Sequence, residues 1–393
     1  MCAMAADVVG PKLLSNPQLF MRCTVVTKKT GSKLAESKRS VEGPKQGLTV
    51  VSLFTGAGGL DIATCRTGHI GRLFSTDSNK VFLQTVIVNL KTHFPNVRHT
   101  HLVADAHDLS GTVISKALEM EKVDLVVGGP PCDDFTSTGR KRGSEGNKAP
   151  LVFQFARLVD EIRPRAFLFE NVPNLKKMCG PFFDTLLEQL TSCGYTLKVT
   201  VLDSSAYGVP SIRKRLFVAG FDDRNLAEHF QFPLATHGQL SSTPTLFDPL
   251  ESLRAFVSVG DVLADLPDIT DQRAANHLNH TGRTHRPGTI EHLKTVPQGV
   301  AVTKSYRYRA PWNGLSRSLT AGVDDATKSY IHPIYHREMS VREYARIHGF
   351  PDSWGFSGNH HNGIKQVANA VPVQLGTPVV LSVVEALRGR AVR

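Results

Sequence analysis

The sequence predicts a doubly wound α/β domain, on three observations. From residue 48 short apolar runs alternate with amphipathic stretches of helical length, and a glycine-rich turn directly follows the first run. The composition, 41% hydrophobic and 21% charged over 393 residues, provides for a full-sized core. Strands alternating with helices in this way form a mainly parallel sheet covered on both faces. With 32 Gly and 22 Pro, a collagen, a coiled coil and a wholly disordered chain are excluded. No apolar run reaches the ~18 residues a membrane helix needs, so no membrane protein is expected.

Residues 1–47 come first and show no sustained periodicity. Eight basic side chains stand there against three acidic ones, which reads as a flexible basic extension. Neither a charged n-region nor an apolar h-region marks a secretory signal. The expected strands are the runs 48–54, 73–75, 102–103, 123–127, 166–169, 196–201 and 216–219. The expected helices are 80–90, 113–120, 151–162 and 182–193. After about Phe221 the alternation stops. Residues 222–270 carry eight acidic and two basic side chains, whereas 271–309 carry seven basic and two acidic ones, with several histidines and tyrosines. That basic block suggests a small loop-rich domain over 222–357 facing phosphates; a merely solvated face is the alternative. The catalytic domain is then 48–221, completed by 358–393. The formal charge of +11 likewise fits either a polyanionic partner or a solvated basic surface. Six cysteines without a C-x-x-C pair argue against a disulfide framework or a zinc site, and for a reducing compartment. No metal is expected.

Four motifs carry chemistry. Phe54-Thr55-Gly56-Ala57-Gly58-Gly59-Leu60-Asp61 follows the first strand, where glycines let the backbone approach a ligand. Asp77 ends the second strand where ribose hydroxyls would arrive, and Asp105 follows the third, placed for an adenine amino group. The turn lacks a full G-x-G-x-x-G, which favours an adenosine-containing ligand other than a dinucleotide. Gly128-Gly129-Pro130-Pro131-Cys132-Asp133-Asp134 follows the strongly apolar strand 123–127, so Cys132 emerges at the carboxyl end of the sheet, where open α/β folds place catalytic groups. Glu170 ends another apolar strand in Phe169-Glu170-Asn171-Val172-Pro173, and a carboxylate there is expensive to bury unless paired. In Ser211-Ile212-Arg213-Lys214-Arg215 the two arginines alternate, so they share one face as a strand begins.

In this order, and continued by residues 337–352 and Gln366-Val367-Ala368-Asn369-Ala370-Val371-Pro372, these motifs resemble the bacterial-type DNA cytosine-5 methyltransferase family. The likeness spans about residues 48–375. It implies a Rossmann-like S-adenosylmethionine-dependent methyltransferase domain with a smaller target-recognition domain, acting on double-stranded DNA, as a monomer, in the bacterial cytoplasm (nucleoid) or the eukaryotic nucleus. A thiolate adds to carbon 6 of an extruded cytosine while a carboxyl group engages the ring nitrogen. Carbon 5 then takes the methyl group from S-adenosyl-L-methionine. By motif match Cys132 is the nucleophile, Glu170 the carboxyl partner, and Arg213 and Arg215 orient the base and Glu170. Phe54, Gly56, Gly58, Gly59, Asp77, Asp105 and Asn369 would line the cofactor site. The polar, basic stretch 133–150 is expected to close over the flipped nucleotide, and residues 240–335 to read sequence.

Three departures stand out. Asp133 replaces the usual glutamine or asparagine after the nucleophile, Ala368 replaces the glycine beside Asn369, and 147–150 lacks an arginine often found there. None removes a catalytic group, so an active enzyme is expected. The alternatives are a transfer-RNA cytosine-5 methyltransferase of the same fold, a catalytically silent DNA-binding relative, and a nicotinamide oxidoreductase suggested by the glycine turn alone.

Overall fold

The first apolar run becomes β1 (Leu48–Leu53), the strand at which the sheet divides. In the computed structural model, which describes residues 47–119, 122–131, 149–178, 180–239, 253–283, 285–302, 307–319 and 330–390, β2 (Ile70–Asp77) and β3 (Arg98–Val103) lie to one side of it. To the other side lie β4 (Leu125–Gly128) and β5 (Ala166–Asn171), and these five strands are parallel. Beyond β5 come β8 (Lys214–Phe221) and the edge strand β6 (Thr196–Asp203), giving the order β3-β2-β1-β4-β5-β8-β6. The chain leaves β1 in both directions, which opens a crevice at the carboxyl ends of β1 and β4.

The expected parallel arrangement stops at β8, which runs antiparallel to both neighbours. Its connection explains the reversal. Residues 204–213 contain only a 3₁₀ turn (Ser204–Tyr207) and β7 (Ser211–Ile212). Parallel neighbours need a crossover of a dozen or more residues, whereas a short link reverses direction.

The helices cover both faces. Side chains of α1 (Gly59–Arg66), α2 (Lys80–His93) and α12 (Val373–Leu387) fill the core on one side. On the other, α3 (Gly111–Leu118), α4 (Ala149–Ile162), which contributes Phe155, and α6 (Gly180–Ser192) pack over Phe167 and Phe169 of β5, with α5 (Asn174–Met178) leading into α6. Local signals fix the starts. Asn79 caps α2 by accepting from the Val81 and Phe82 amides, and Ser110 caps α3 by accepting from Val113. No single helix among the described residues is long and apolar enough to cross a membrane.

After α7 (Arg224–His229) the elements shorten: β9 (His237–Gly238), β10 (Arg254–Ala255), α8 (Val259–Leu263) and α9 (Pro287–Lys294). Then follow β11 (Ala301–Val302), β12 (Arg307–Arg309), β13 (Ser316–Arg317) and β14 (Tyr330–Ile331). None joins the seven-stranded sheet, although β13 pairs with β7 beside it. Besides residues that join the main core, among them Leu263, Tyr308 and Leu319, this region has a buried cation. Arg309 donates to the carbonyls of Leu293, Val296, His332 and Tyr335, setting its charge against the carbonyl end of α9. The chain then returns through α10 (Val341–Ile347) and α11 (His360–Asn369). Met339, Tyr344, Phe350 and Trp354 join the same core as α1 and α12.

Candidate active site

The turn after β1 is shaped by backbone conformation. Phe54 has φ 54°, and Gly56 and Gly58 have φ 57° and 86°, values that only glycine adopts without strain. The Gly56 amide donates to Asp77 Oδ2 at 2.8 Å and the Asn79 amide to Oδ1 at 2.8 Å, so the carboxylate ending β2 braces the turn. Burial raises the Asp77 pKa, and these two backbone hydrogen bonds oppose the rise. Beneath the turn lies Asp61, a residue of the motif to which sequence reasoning gave no role. It is fully buried and accepts hydroxyl hydrogen bonds from Ser52, Thr55 and Ser75 at 3.0, 2.5 and 2.5 Å. Burial raises its pKa too, the three hydroxyls acting in the other direction. It fastens the start of α1 to β1 and β2.

Gly59 serves close packing. A Cβ there would stand 2.5 Å from the Val371 carbonyl oxygen, so the segment 368–371 lies against the start of α1. That approach brings exposed Asn369, the last residue of α11, to the glycine turn. Asp105 lies two residues beyond β3 with its side chain half exposed, and the adjacent Ala104 amide donates to the Asp77 carbonyl at 3.2 Å. Phe54, Gly56, Gly58, Asp77 and Asp105 thus lie at or just beyond the carboxyl ends of three adjacent strands.

The second half of the site lies across β1, where β4 and β5 end together. Gly128 pairs with Phe169, which puts Gly129 beside Glu170. Glu170 is buried and Arg215 Nε lies 2.8 Å from its Oε1, the two side chains 11% and 10% exposed for Arg215 and Glu170. Burial raises the Glu170 pKa; the charge of Arg215, then that of Arg213, then the Arg215 hydrogen bond act against the rise. The sequence left that contest open, and here burial prevails. The result is a carboxyl group more easily protonated near neutrality than a free one.

Two residues that sequence reasoning passed over define this corner. Asn171 Nδ2 donates to the Pro130 carbonyl at 3.2 Å, holding the approach to Cys132 against the end of β5. A Cβ on Gly129 would stand 2.7 Å from Glu170 Oε2. Gly129→Ala is therefore expected to push the carboxylate off Arg215 and lower turnover by about 10²-fold, the size of a misplacement near 1 Å. Steady-state methyl transfer checks this, and an unchanged rate would mean that the carboxylate is not used where it stands. The doubled glycine before two prolines was the signal in the sequence. Cys132 itself lies outside the described residues, as do 133–148.

The two arginines separate in function. Arg215 takes the carboxylate. Arg213, 2% exposed, donates to Ser318 Oγ (3.2 Å) and the carbonyls of Leu319 (2.8 Å), Ala368 (2.6 Å) and Ala370 (3.2 Å). It ties the region after β13 to the turn that carries Asn369, while its charge still reaches Glu170. Among the described residues no group of three or more His, Cys, Asp or Glu is arranged to hold a metal ion.

A carboxyl group tuned by burial, a guanidinium fixed to it, and a separate rim of carboxylates beside a glycine turn suit proton handling on a heterocycle next to a bound nucleoside. Known proteins resemble this chain over most of its length. The family model for C-5 cytosine-specific DNA methylase matches residues 48–385. The type II methyltransferase M.SacI of Streptomyces achromogenes is 31% identical over 378 residues, covering 86% of this chain and 93% of that protein. M.NgoPII of Neisseria gonorrhoeae is 27% identical over 347 residues, covering 86% and 96%. Two solved structures share the fold: a protein described as a DNA modification methyltransferase encoded within an E. coli prophage (TM-score 0.65, 23% identity, 87% of this chain and 100% of that one) and Spodoptera frugiperda DNMT2 (TM-score 0.56, 16% identity, 87% and 100%).

Proposed function

The chain belongs to the C-5 cytosine-specific DNA methylase family, and from that premise we propose how its own residues carry out the reaction. It is a DNA (cytosine-5-)-methyltransferase, and its family uses S-adenosyl-L-methionine. The observation that carries the proposal is the buried Glu170–Arg215 pair next to Gly129, three residues before Cys132.

Cys132 is the nucleophile. A free thiol of pKa ~8.5 is only about 3% thiolate at pH 7, so it needs positive charge nearby, and Arg213 and Arg215 are the candidates. Its sulfur bonds to carbon 6 of cytosine as Glu170 gives a proton to the ring nitrogen; the displaced carbon 5–carbon 6 pair becomes a carbon 4–carbon 5 double bond, and the C=N pair forms the new N–H bond, so carbon 5 is the nucleophilic carbon of an enamine. Arg215 holds Glu170 in place for that transfer. S-adenosyl-L-methionine, when bound at the glycine turn, would supply the methyl group that carbon 5 accepts. Loss of the carbon-5 proton to solvent, departure of the Cys132 sulfur as thiolate and return of the ring-nitrogen proton to Glu170 then restore the aromatic ring and the enzyme.

The residues present fit the cofactor. Gly56 and Gly58 give a turn that a ligand can approach closely, Asp77 stands at its lip for hydroxyl groups, and Asp105 offers an exposed acceptor. Phe54, Gly59 and Asn369 complete the rim, Gly59 by admitting the segment that bears Asn369. Since carbon 6 is out of reach inside a duplex, the cytosine leaves the stack, which costs a few kcal/mol. We assign 48–221 with 358–393 to catalysis and 222–357 to target recognition; the short strands outside the main sheet support that division. The enzyme acts as a monomer on duplex DNA, in the cytoplasm (nucleoid) of a bacterial host or the nucleus of a eukaryotic one.

Duplexes carrying 5-fluorocytosine test the assignment, because the fluorine cannot leave carbon 5 as a proton does. The parent protein is expected to form a covalent adduct that survives denaturing electrophoresis, and Cys132→Ser none. An adduct that persists in Cys132→Ser would place the nucleophile elsewhere.

A further inference from the structure

The floor of the glycine turn is made by a residue that neither the motifs nor the catalytic scheme uses. Trp354 is fully buried, and a Cβ on Gly58 would stand 3.0 Å from its Cζ2 and 3.6 Å from its Cη2. The outer edge of the six-membered ring therefore lies directly against the Gly58 backbone, with Val86 Cγ2 of α2 beside it, 3.2 Å from the same point. Gly58 has φ 86° there, donates to the Thr55 carbonyl at 3.0 Å and accepts from the Ile62 amide at 2.9 Å, so it both closes the turn and starts α1. A glycine has no side chain of its own to pack, and the indole supplies the contact it lacks.

The indole Nε1 has no hydrogen-bond partner among the described residues, so shape fixes the ring. The backbone that carries it is pinned by polar contacts. The Trp354 amide donates to the Pro351 carbonyl at 2.9 Å, and the Trp354 carbonyl accepts from Arg342 Nη2 at 2.6 Å. Arg342, itself fully buried, also donates to the carbonyls of Pro351 (2.9 Å) and Leu278 (2.8 Å). One residue on, the Gly355 amide donates to Asn89 Oδ1 at 2.9 Å and its carbonyl accepts from Nδ2 at 2.7 Å, which fastens the same segment to α2. The ring edge is thus in place before a ligand arrives, and little ordering remains to be done on binding.

We propose that Trp354 is a positioning residue of the cofactor site, its ring edge holding the Gly58 backbone where the glycine turn meets S-adenosyl-L-methionine. The inference rests on the placement of the cofactor at that turn. Interiors are packed without slack, so a void under Gly58 either stays empty or lets the turn settle into it. Settling moves the backbone from Gly56 to Gly59 away from the ligand it is shaped to approach.

Calorimetric titration of S-adenosylhomocysteine into the full chain, beside duplex binding and urea unfolding, tests this. Trp354→Phe withdraws the ring edge. It should weaken S-adenosylhomocysteine by about 10-fold, less than the ~10²-fold effect of a full ångström of misplacement, and leave duplex affinity unchanged. Phe230→Leu, in the same core but packed on Phe221 and Phe232, should lose stability and keep its affinity for the ligand. If it weakens the ligand as much as Trp354→Phe does, Trp354 is core packing only and the proposal is overturned. Gly58→Ala drives a methyl group into the ring edge, and adding Trp354→Phe should recover part of its loss. Strain at φ 86° is common to both backgrounds and cancels in that cycle. Two losses that simply multiply would likewise overturn the proposal. Should Trp354→Phe not fold, Val86→Ala removes the other floor atom, and undiminished affinity in that variant sinks the idea equally. Asp77→Ala, which takes the brace from the turn, separates the two levels. If it does not weaken S-adenosylhomocysteine, the cofactor is not at this turn; if it does while Trp354→Phe has no effect, only the role of Trp354 fails.

Discussion

Glu170→Gln is expected to lower methyl transfer by about 10²–10⁴-fold, the range for removing a positioned general acid or base, while duplex DNA is still bound. Glutamine has nearly the same shape, and its oxygen can still accept from Arg215 Nε, now 2.8 Å from the carboxylate. The local structure therefore has no reason to change. What the amide lacks is a proton it can release to the ring nitrogen. The parent carboxyl is suited to that step because burial raises its pKa in spite of two guanidinium groups. Single-turnover methyl transfer beside fluorescence anisotropy of labelled duplex separates the two effects. A variant that turns over at the parent rate would remove Glu170 from the chemistry.

Arg215→Met attacks the same pair from the other side and should damage both rate and stability. Leaving one member of a buried ion pair without its partner costs about 3–5 kcal/mol. The carboxyl can escape part of that penalty by taking up a proton. Its pKa is already above the ordinary value in the folded state, and losing Arg215, the largest opposing influence, sends it further up. The folded variant then binds more protons than the unfolded chain, so its stability falls as pH rises through that range. Urea unfolding should accordingly show a gap between parent and variant that is small in acid and widens toward neutral pH. A gap that narrows as pH rises would mean that Arg215 does not neutralise this carboxylate.

Much of this site was legible from sequence. Glu170 announced itself as a carboxylate ending an apolar strand, a position that physical chemistry permits only with a partner. Asp77 and Asp105 could be placed because successive strands of a parallel sheet bring their carboxyl ends to one edge. The relatives decided for DNA methylation over the RNA-modifying and silent readings that the motifs left open. The division of labour between the arginines was not legible. Alternation put Arg213 and Arg215 on one face, but the distance to Glu170 on one side and to Ala368 and Leu319 on the other depends on segments far away in sequence. Gly129 and Asn171 were missed for a related reason. Each acts by touching a group named for other reasons.

Taken alone, the chain determined the periodicities, the strand ends and the kinds of reactive group placed on them, because these follow from side-chain chemistry within a few residues. The reversal of β8, the brace that Asp77 gives the glycine turn, the close seat of Gly59 on Val371 and the outcome at Glu170 belonged to the tertiary structure. Each is set by how near two distant segments come and how much water is excluded between them. A pKa or a steric limit responds to differences of an ångström that no linear pattern encodes.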